Sequence, residues 1–207
     1  MSGIFLKTGT VRAQKSSMLI NTAHRYEDKG SGVICLKPET DTRDVGVISS
    51  KNGLTRPCIM IKNYDSLIEI INRERIKLEE QGKELEVILI DECQFLTMHH
   101  CYQVLFLSRY HSILLYGLKS DFKGFSWQAT DFLSNFAKTH EEIMNPCQYC
   151  HSLAKLNLRV DSNGDAVVEG DSVAVDKSQK ESDYVPVCPK CYTERTLFKD
   201  IFENMKK

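Results

Sequence analysis

The stretch Val87-Ile88-Leu89-Ile90-Asp91-Glu92-Cys93-Gln94-Phe95 constrains this chain more than any other. A strand with one wet face alternates polar and apolar residues. A run apolar at every position is buried on both faces, as in a parallel sheet covered by helices. The run ends in two carboxylates, so Asp91 and Glu92 leave together from a strand's carboxyl end, where open α/β sheets bind ligands. Taken alone, the pair reads equally well as two solvated acids on a loop.

A second piece lies far upstream. Ile4-Phe5-Leu6 precedes Gly9-Thr10-Val11-Arg12-Ala13-Gln14-Lys15-Ser16, which has the spacing of a phosphate-binding loop, G-x-x-x-x-G-K-[ST], except that Gln14 stands where the second glycine belongs. In an intact loop the glycines let successive backbone N–H groups turn around a phosphate. The lysine then reaches the terminal phosphates, and the hydroxyl binds a metal. A side chain at position 14 conflicts with the backbone angles or the space that glycine supplies, so the sequence predicts weakened phosphate binding or a reshaped loop.

With 207 residues, the chain has room for one ordinary domain and a small appendage. A net charge of -1 gives no electrostatic footprint for a nucleic-acid binder. No apolar run approaches the roughly 18 residues of a membrane span, and the amino terminus lacks the layout of a secretion signal, so a cytoplasmic protein is expected.

Along the chain, helical and strand patterns alternate. A helix is expected over 17–29, broken at Gly30-Ser31-Gly32, and a buried strand over 33–38. Further strands are expected over 45–49 and 57–61 around a turn at Asn52-Gly53. Ser66-Leu67-Ile68-Glu69 reads as a capping box opening a helix that stops at Gly82, with its back half, 73–80, a solvated face. A helix over 98–109, a strand over 113–118, a helix over 126–138 and a short strand over 141–144 follow. The expected fold is α/β, a mainly parallel sheet with flanking helices over 1–145, and both candidate loops then lie on one sheet edge.

The composition changes at Pro146. Cys147-x-x-Cys150 and Cys188-x-x-Cys191 form two knuckle-like pairs with residues 151–187 between them, a pattern that suits a tetrahedral structural Zn2+ site. A redox pair or four buried free thiols is the alternative. Residues 156–160 and 166–168 flank Asp161-Ser162-Asn163-Gly164-Asp165 as an expected hairpin, and 175–183 is polar. Residues 146–207 are thus expected to form a zinc-ribbon-like domain. Cys35, Cys58, Cys93 and Cys101 read as small core residues, and His99 and His100 as surface imidazoles.

Together these motifs resemble the type II, zinc-containing thymidine kinases. The features that carry the likeness are the altered phosphate loop, Lys37-Pro38 with Asp41-Thr42-Arg43, Asp91-Glu92-Cys93-Gln94-Phe95, Gly117-Leu118-Lys119-Ser120-Asp121-Phe122-Lys123-Gly124, and the late cysteine pairs with Tyr184 before Cys188. It covers nearly the whole chain and is closest to the short phage-encoded members. The resemblance implies that Glu92 takes the proton from a nucleoside 5′-hydroxyl, and that Lys15 and Ser16, with the loop from Gly9 to Gln14, hold ATP and Mg2+. It further implies that Asp91 helps hold the metal and that Arg43 lies near the transferred phosphoryl group, with Asp41 and Gln94 also on the nucleotide side. Phe95, Leu118, Phe122 and Tyr184 would surround the base, with Val175, Asp176, Lys177, Ser178 and Gln179 in a closing lid. The implied substrates are thymidine or deoxyuridine and ATP, and the implied assembly is a homotetramer.

The chain departs from the family pattern in both ligand loops, at Val11, Arg12 and Gln14 and at 178–183, where glycines are usual. One reading is an active kinase with a reshaped donor site, with Arg12 adding charge to the phosphates. Another is a catalytically impaired relative that binds nucleoside or nucleotide without efficient turnover. A third, a zinc-ribbon nucleic-acid module on an inert α/β domain, is disfavoured by the near-neutral charge.

Overall fold

The computed structural model describes residues 2–40, 45–172 and 183–197. The elements in order are β1 (Gly3–Gly9), α1 (Lys15–Glu27), β2 (Gly32–Pro38), β3 (Val47–Ser49), β4 (Thr55–Pro57), β5 (Ile59–Ile61), α2 (Leu67–Glu80), β6 (Leu85–Ile90), α3 (Met98–Leu107), β7 (Ser112–Gly117), α4 (Gln128–Ser134), β8 (Thr139–Ile143), β9 (Leu156–Val160), β10 (Asp183–Val187) and α5 (Pro189–Arg195). Six strands form one parallel sheet in the order β5-β2-β6-β7-β1-β8.

The apolar run of β6 is explained by this arrangement. Ile88 and Ile90 face the core shared with α2, α3 and α4, whereas Val87 and Leu89 face Leu19, Ile20 and Ala23 of α1. Each such side chain contributes about 1.5–3 kcal/mol of burial before ordering costs are subtracted. Polar alternation in this strand would place a polar group in one of two dry layers. Because α1 follows β1 directly and β6 lies one strand from β1 in the sheet, the phosphate loop and Asp91 emerge at the same edge.

Several boundaries differ from the sequence expectation, each for a local reason. The segment expected as a strand over 57–61 splits. Thr55–Pro57 pairs with β3 in an antiparallel hairpin around Asn52-Gly53, and Ile59–Ile61 joins the main sheet beside β2. Helix α4 stops at Ser134 rather than near 138, because the Asn135 side chain donates to the carbonyls of Asp131 and Phe132 and Lys138 N–H already pairs with Ile4 O at 2.8 Å. The expected hairpin at 156–168 is reduced to a bridge between Val160 and Ala166, and the main partner of β9 is β10. Ser66 caps α2 as expected, its hydroxyl accepting from Glu69 N–H at 3.3 Å.

His99 is exposed, but His100 is buried, correcting the expectation of two surface imidazoles. It completes the cap of α3: Thr97 Oγ1 accepts from His100 N–H, His100 Nδ1 accepts from Thr97 N–H, and its Nε2 meets Asp65 O at 3.1 Å. Among the described residues, no helix is long and apolar enough to cross a membrane.

Candidate active site

A cavity of about 750 Å³ opens at the carboxyl edge of the sheet. Val11 to Ser17 line one side, Asp91 and Glu92 the floor, and Phe95, Leu118, Phe122, Trp127 and Tyr184 the other. The two pieces that spacing alone could only suggest are in contact, with Ser16 Oγ donating to Asp91 Oδ2 at 2.9 Å across 75 residues of sequence. Gly9 and Thr10 lie behind the loop, and the carbonyl of Thr10 accepts from Lys15 Nζ at 2.8 Å.

Gln14 does not plug this space. Its backbone, at φ 60 and ψ 24, takes the left-handed conformation that glycine normally supplies, its side chain is exposed, and α1 starts directly after it. The loop therefore keeps its path at a strain cost of about 1 kcal/mol. Arg12 is also left-handed, at φ 63. Its guanidinium pairs with Asp183 and donates to Gln148 Oε1 at 3.1 Å, so this charge is directed to the β10 side of the cavity. Its Nε is buried without a partner among the described residues, as is Trp127 Nε1, and both residues line the cavity.

The acid pair occupies unequal surroundings. Asp91 is buried, and its carboxyl is pushed up to about 7, first by burial and then by the charge of Glu92. A divalent cation between Ser16 and Asp91 would offset both effects. Glu92 sits at φ 49 with its carboxylate toward the cavity, and Gln94 Nε2 donates to Glu92 Oε2 at 2.6 Å. Gln94 Oε1 accepts from Leu118 N–H at 2.9 Å, so one buried side chain fixes both the carboxylate and the start of the next loop.

That loop carries Phe122, and rings from other elements complete the aromatic wall. Phe122 meets Tyr184 edge-on at 6.3 Å and is backed by the Arg159 guanidinium at 5.6 Å from its ring centroid. Phe95 meets Trp127 edge-on at 5.4 Å. Asp121 accepts from the N–H groups of Lys123 and Phe125 and from Ser172 Oγ at 2.5 Å, holding the turn together. Trp127, Asn157 and Arg159 belong to no spaced motif and carry no signal in the sequence, whereas Asp121 lies inside the motif over 117–124 without a role of its own there. Asp41, Arg43, Val175, Asp176, Lys177, Ser178 and Gln179 lie outside the described residues.

The four expected metal-binding cysteines converge. The sulfurs of Cys147, Cys150, Cys188 and Cys191 lie within 4.8 Å of one another, compatible with the ~3.8 Å edge of a tetrahedron with Zn–S bonds of about 2.3 Å. Cys147 Sγ accepts from Tyr149 N–H and Cys188 Sγ from Cys191 N–H, so two backbone amides already point at sulfur. The Cys150 thiol is pushed down to about 6, chiefly by its hydrogen bonds with Ser152. The donor set fits Zn2+, and its four thiolates would leave no coordination position for substrate.

The family model for thymidine kinase matches residues 2–192. The chain belongs to the thymidine kinase family. It is 33% identical over 198 residues to the thymidine kinase of Streptococcus gordonii, covering 93% of this chain and 96% of that one. It is 32% identical over 195 residues to the thymidine kinase of Enterococcus faecalis, covering 93% and 95% of the two chains. To the thymidine kinase of Legionella pneumophila it is 32% identical over 191 residues, covering 91% and 88%. The phosphate loop, the Asp91-Glu92 strand end and the loop of Leu118 and Phe122 thus meet at the cavity in this chain with Gln14 in place.

Proposed function

We propose that the protein transfers the γ-phosphoryl group of ATP to the 5′-hydroxyl of thymidine or deoxyuridine, the cavity described above being the active site. The observation that carries this reading is the Ser16–Asp91 contact at the cavity floor, with Glu92 beside it and an aromatic wall opposite. Phosphoryl transfer needs positioning, neutralised phosphates and a group that orients the attacking hydroxyl. Lys15 and the loop amides would hold the triphosphate, and Ser16 and Asp91 the Mg2+. Mg2+ held there would supply charge neutralisation for the triphosphate. Glu92, held by Gln94, would take the proton of the 5′-hydroxyl, and Phe95, Leu118, Phe122 and Tyr184 would enclose the base.

The left-handed backbone at Gln14 favours an active enzyme over an impaired relative, because the loop keeps its route without the second glycine. The four thiolates would hold Zn2+ as a structural ion. A homotetramer and a cytoplasmic location accord with family membership, and gel filtration with light scattering tests the former.

The test is a coupled assay with ATP, Mg2+ and a panel of nucleosides. Thymidine and deoxyuridine should turn over, and Glu92→Gln should lower kcat by at least about 100-fold with little change in Tm. Binding of thymidine and nucleotide without turnover by the unaltered protein would replace this reading with that of a non-catalytic binding protein.

A further inference from the structure

The phosphate loop and the aromatic-bearing loop are joined through one buried side chain. Asn157, on β9, is 3% exposed. Its Oδ1 accepts from Val11 N–H at 2.8 Å, and its Nδ2 donates to Ser120 O at 3.0 Å. The partners fix the amide's orientation, since the flipped form would set donor against donor and acceptor against acceptor. Val11 lies in the phosphate loop. Ser120 lies between Leu118 and Phe122, on the side that would hold the nucleoside.

A second contact makes this more than local packing. Asn145 Nδ2 donates to Val11 O at 3.1 Å, so both of these Val11 backbone groups are held by asparagines. Beyond it stands Arg12 at φ 63, a conformation that its own side chain does not favour. Val11 N–H is thereby committed to the protein, so the loop's crest is set by Asn157 and Asn145.

We propose that Asn157 is a positioning residue of the kinase reaction, setting the distance between the phosphoryl donor and the nucleoside by bridging the two loops. This inference rests on the kinase reading above. In-line transfer is sensitive to misplacement on the ångström scale, which can cost about 100-fold in rate. A bridge to backbone atoms on both loops shifts them together, whereas two unconnected loops drift independently.

The two arms of the bridge separate by substitution. Asn157→Asp keeps the acceptor for Val11 N–H but turns a carboxylate oxygen toward Ser120 O. Asn157→Leu removes both arms at similar volume. The aspartate variant should keep the KM for ATP within about threefold while raising the KM for thymidine about tenfold. That rise should shrink as pH falls, because a protonated carboxyl donates to Ser120 O as the amide did. The leucine variant should raise both KM values and lower kcat by about tenfold or more.

The proposal is overturned if the aspartate variant raises both KM values equally, or if the leucine variant loses Tm but keeps its kinetic constants. Should the leucine variant fail to fold, the aspartate variant decides alone, because the split between two KM values is internal to one protein. Failure of the unaltered protein to phosphorylate any nucleoside would instead count against the kinase reading. Calorimetric titration with ADP and thymidine would then compare the two arms without turnover, and equal losses of affinity for both ligands in Asn157→Asp would still overturn the bridge.

Discussion

Gly117, at the end of β7, has space for nothing larger than hydrogen. A Cβ there would come 2.6 Å from Cys93 Sγ and 2.7 Å from Gln94 Oε1, distances at which something must move. Gln94 is the side chain that holds Glu92, so Gly117→Ala should act on catalysis through it. We expect a stability loss of about 1–3 kcal/mol and a kcat lowered at least about tenfold, with the KM for ATP little changed. An unchanged kcat in the folded variant would remove Gln94 as the group that orients Glu92. Gln14→Gly is the opposite kind of change: relief of left-handed strain outweighs the added freedom of the unfolded chain, and Tm should rise by the equivalent of about 0.5 kcal/mol. A fall in Tm would mean that the glutamine side chain contributes a contact larger than its strain. Lys15, Ser16, Asp91 and Glu92 were legible in the sequence because loop spacing and a strand end carry their own signatures. The parts of Gly117, Trp127 and Asn157 were not, since each depends on a neighbour distant in sequence.

At the scale of elements, period and punctuation carried the strands and helices of the parallel sheet. The unreadable parts were non-local: which strand β9 pairs with, and where α4 must stop so that Lys138 can meet Ile4. The cap of α3 illustrates the difference, for His99-His100 looked like a surface pair until the fold placed Asp65 O against the second ring. Burial lowers the His100 pKa below its ordinary value of 6.5. The neutral ring is also the form its partners need, with Nδ1 accepting from Thr97 and Nε2 donating to Asp65. The folded state therefore binds fewer protons at this site than the unfolded chain. Its contribution is full above about pH 6.5 and is lost as pH falls through that value toward the folded pKa. His100→Gln should cost about 1–2 kcal/mol at neutral pH and remove this share of the acid sensitivity, measured by urea unfolding between about pH 5 and 7.5. An identical pH slope in the variant would show that His100 is not the titrating group.

For the whole molecule, the question is what keeps β9 and β10 in place. Leu158, Val160, Val185, Val187 and Tyr192 form a core with three of the four cysteines, separate from the two clusters of the main sheet. A core this small supplies too little burial to order a two-stranded sheet and a seven-residue helix unaided, so the metal would carry much of the stability. We therefore propose that residues 146–172 and 183–197 act as a metal-held unit whose product is the placement of Asn157, Gln148 and Asp183 against the phosphate loop. Tyr192 Oη donating to Phe122 O at 2.9 Å extends that placement to the aromatic loop. Stripping the metal with a chelator, or Cys188→Ser, should then uncouple two levels of order. Amides of Leu156–Val160, Val185 and Val187 should lose hydrogen-exchange protection while those of Val87–Ile90 keep theirs, because the parallel sheet has both of its apolar layers intact. Calorimetric affinity for ADP should fall in parallel, since the phosphate loop loses Asn157 at Val11 N–H and the Gln148 and Asp183 partners of Arg12. Equal loss of protection in β6 would mean that the chain folds as one cooperative body, and an unchanged ADP affinity would mean that the loop holds its shape without the ribbon.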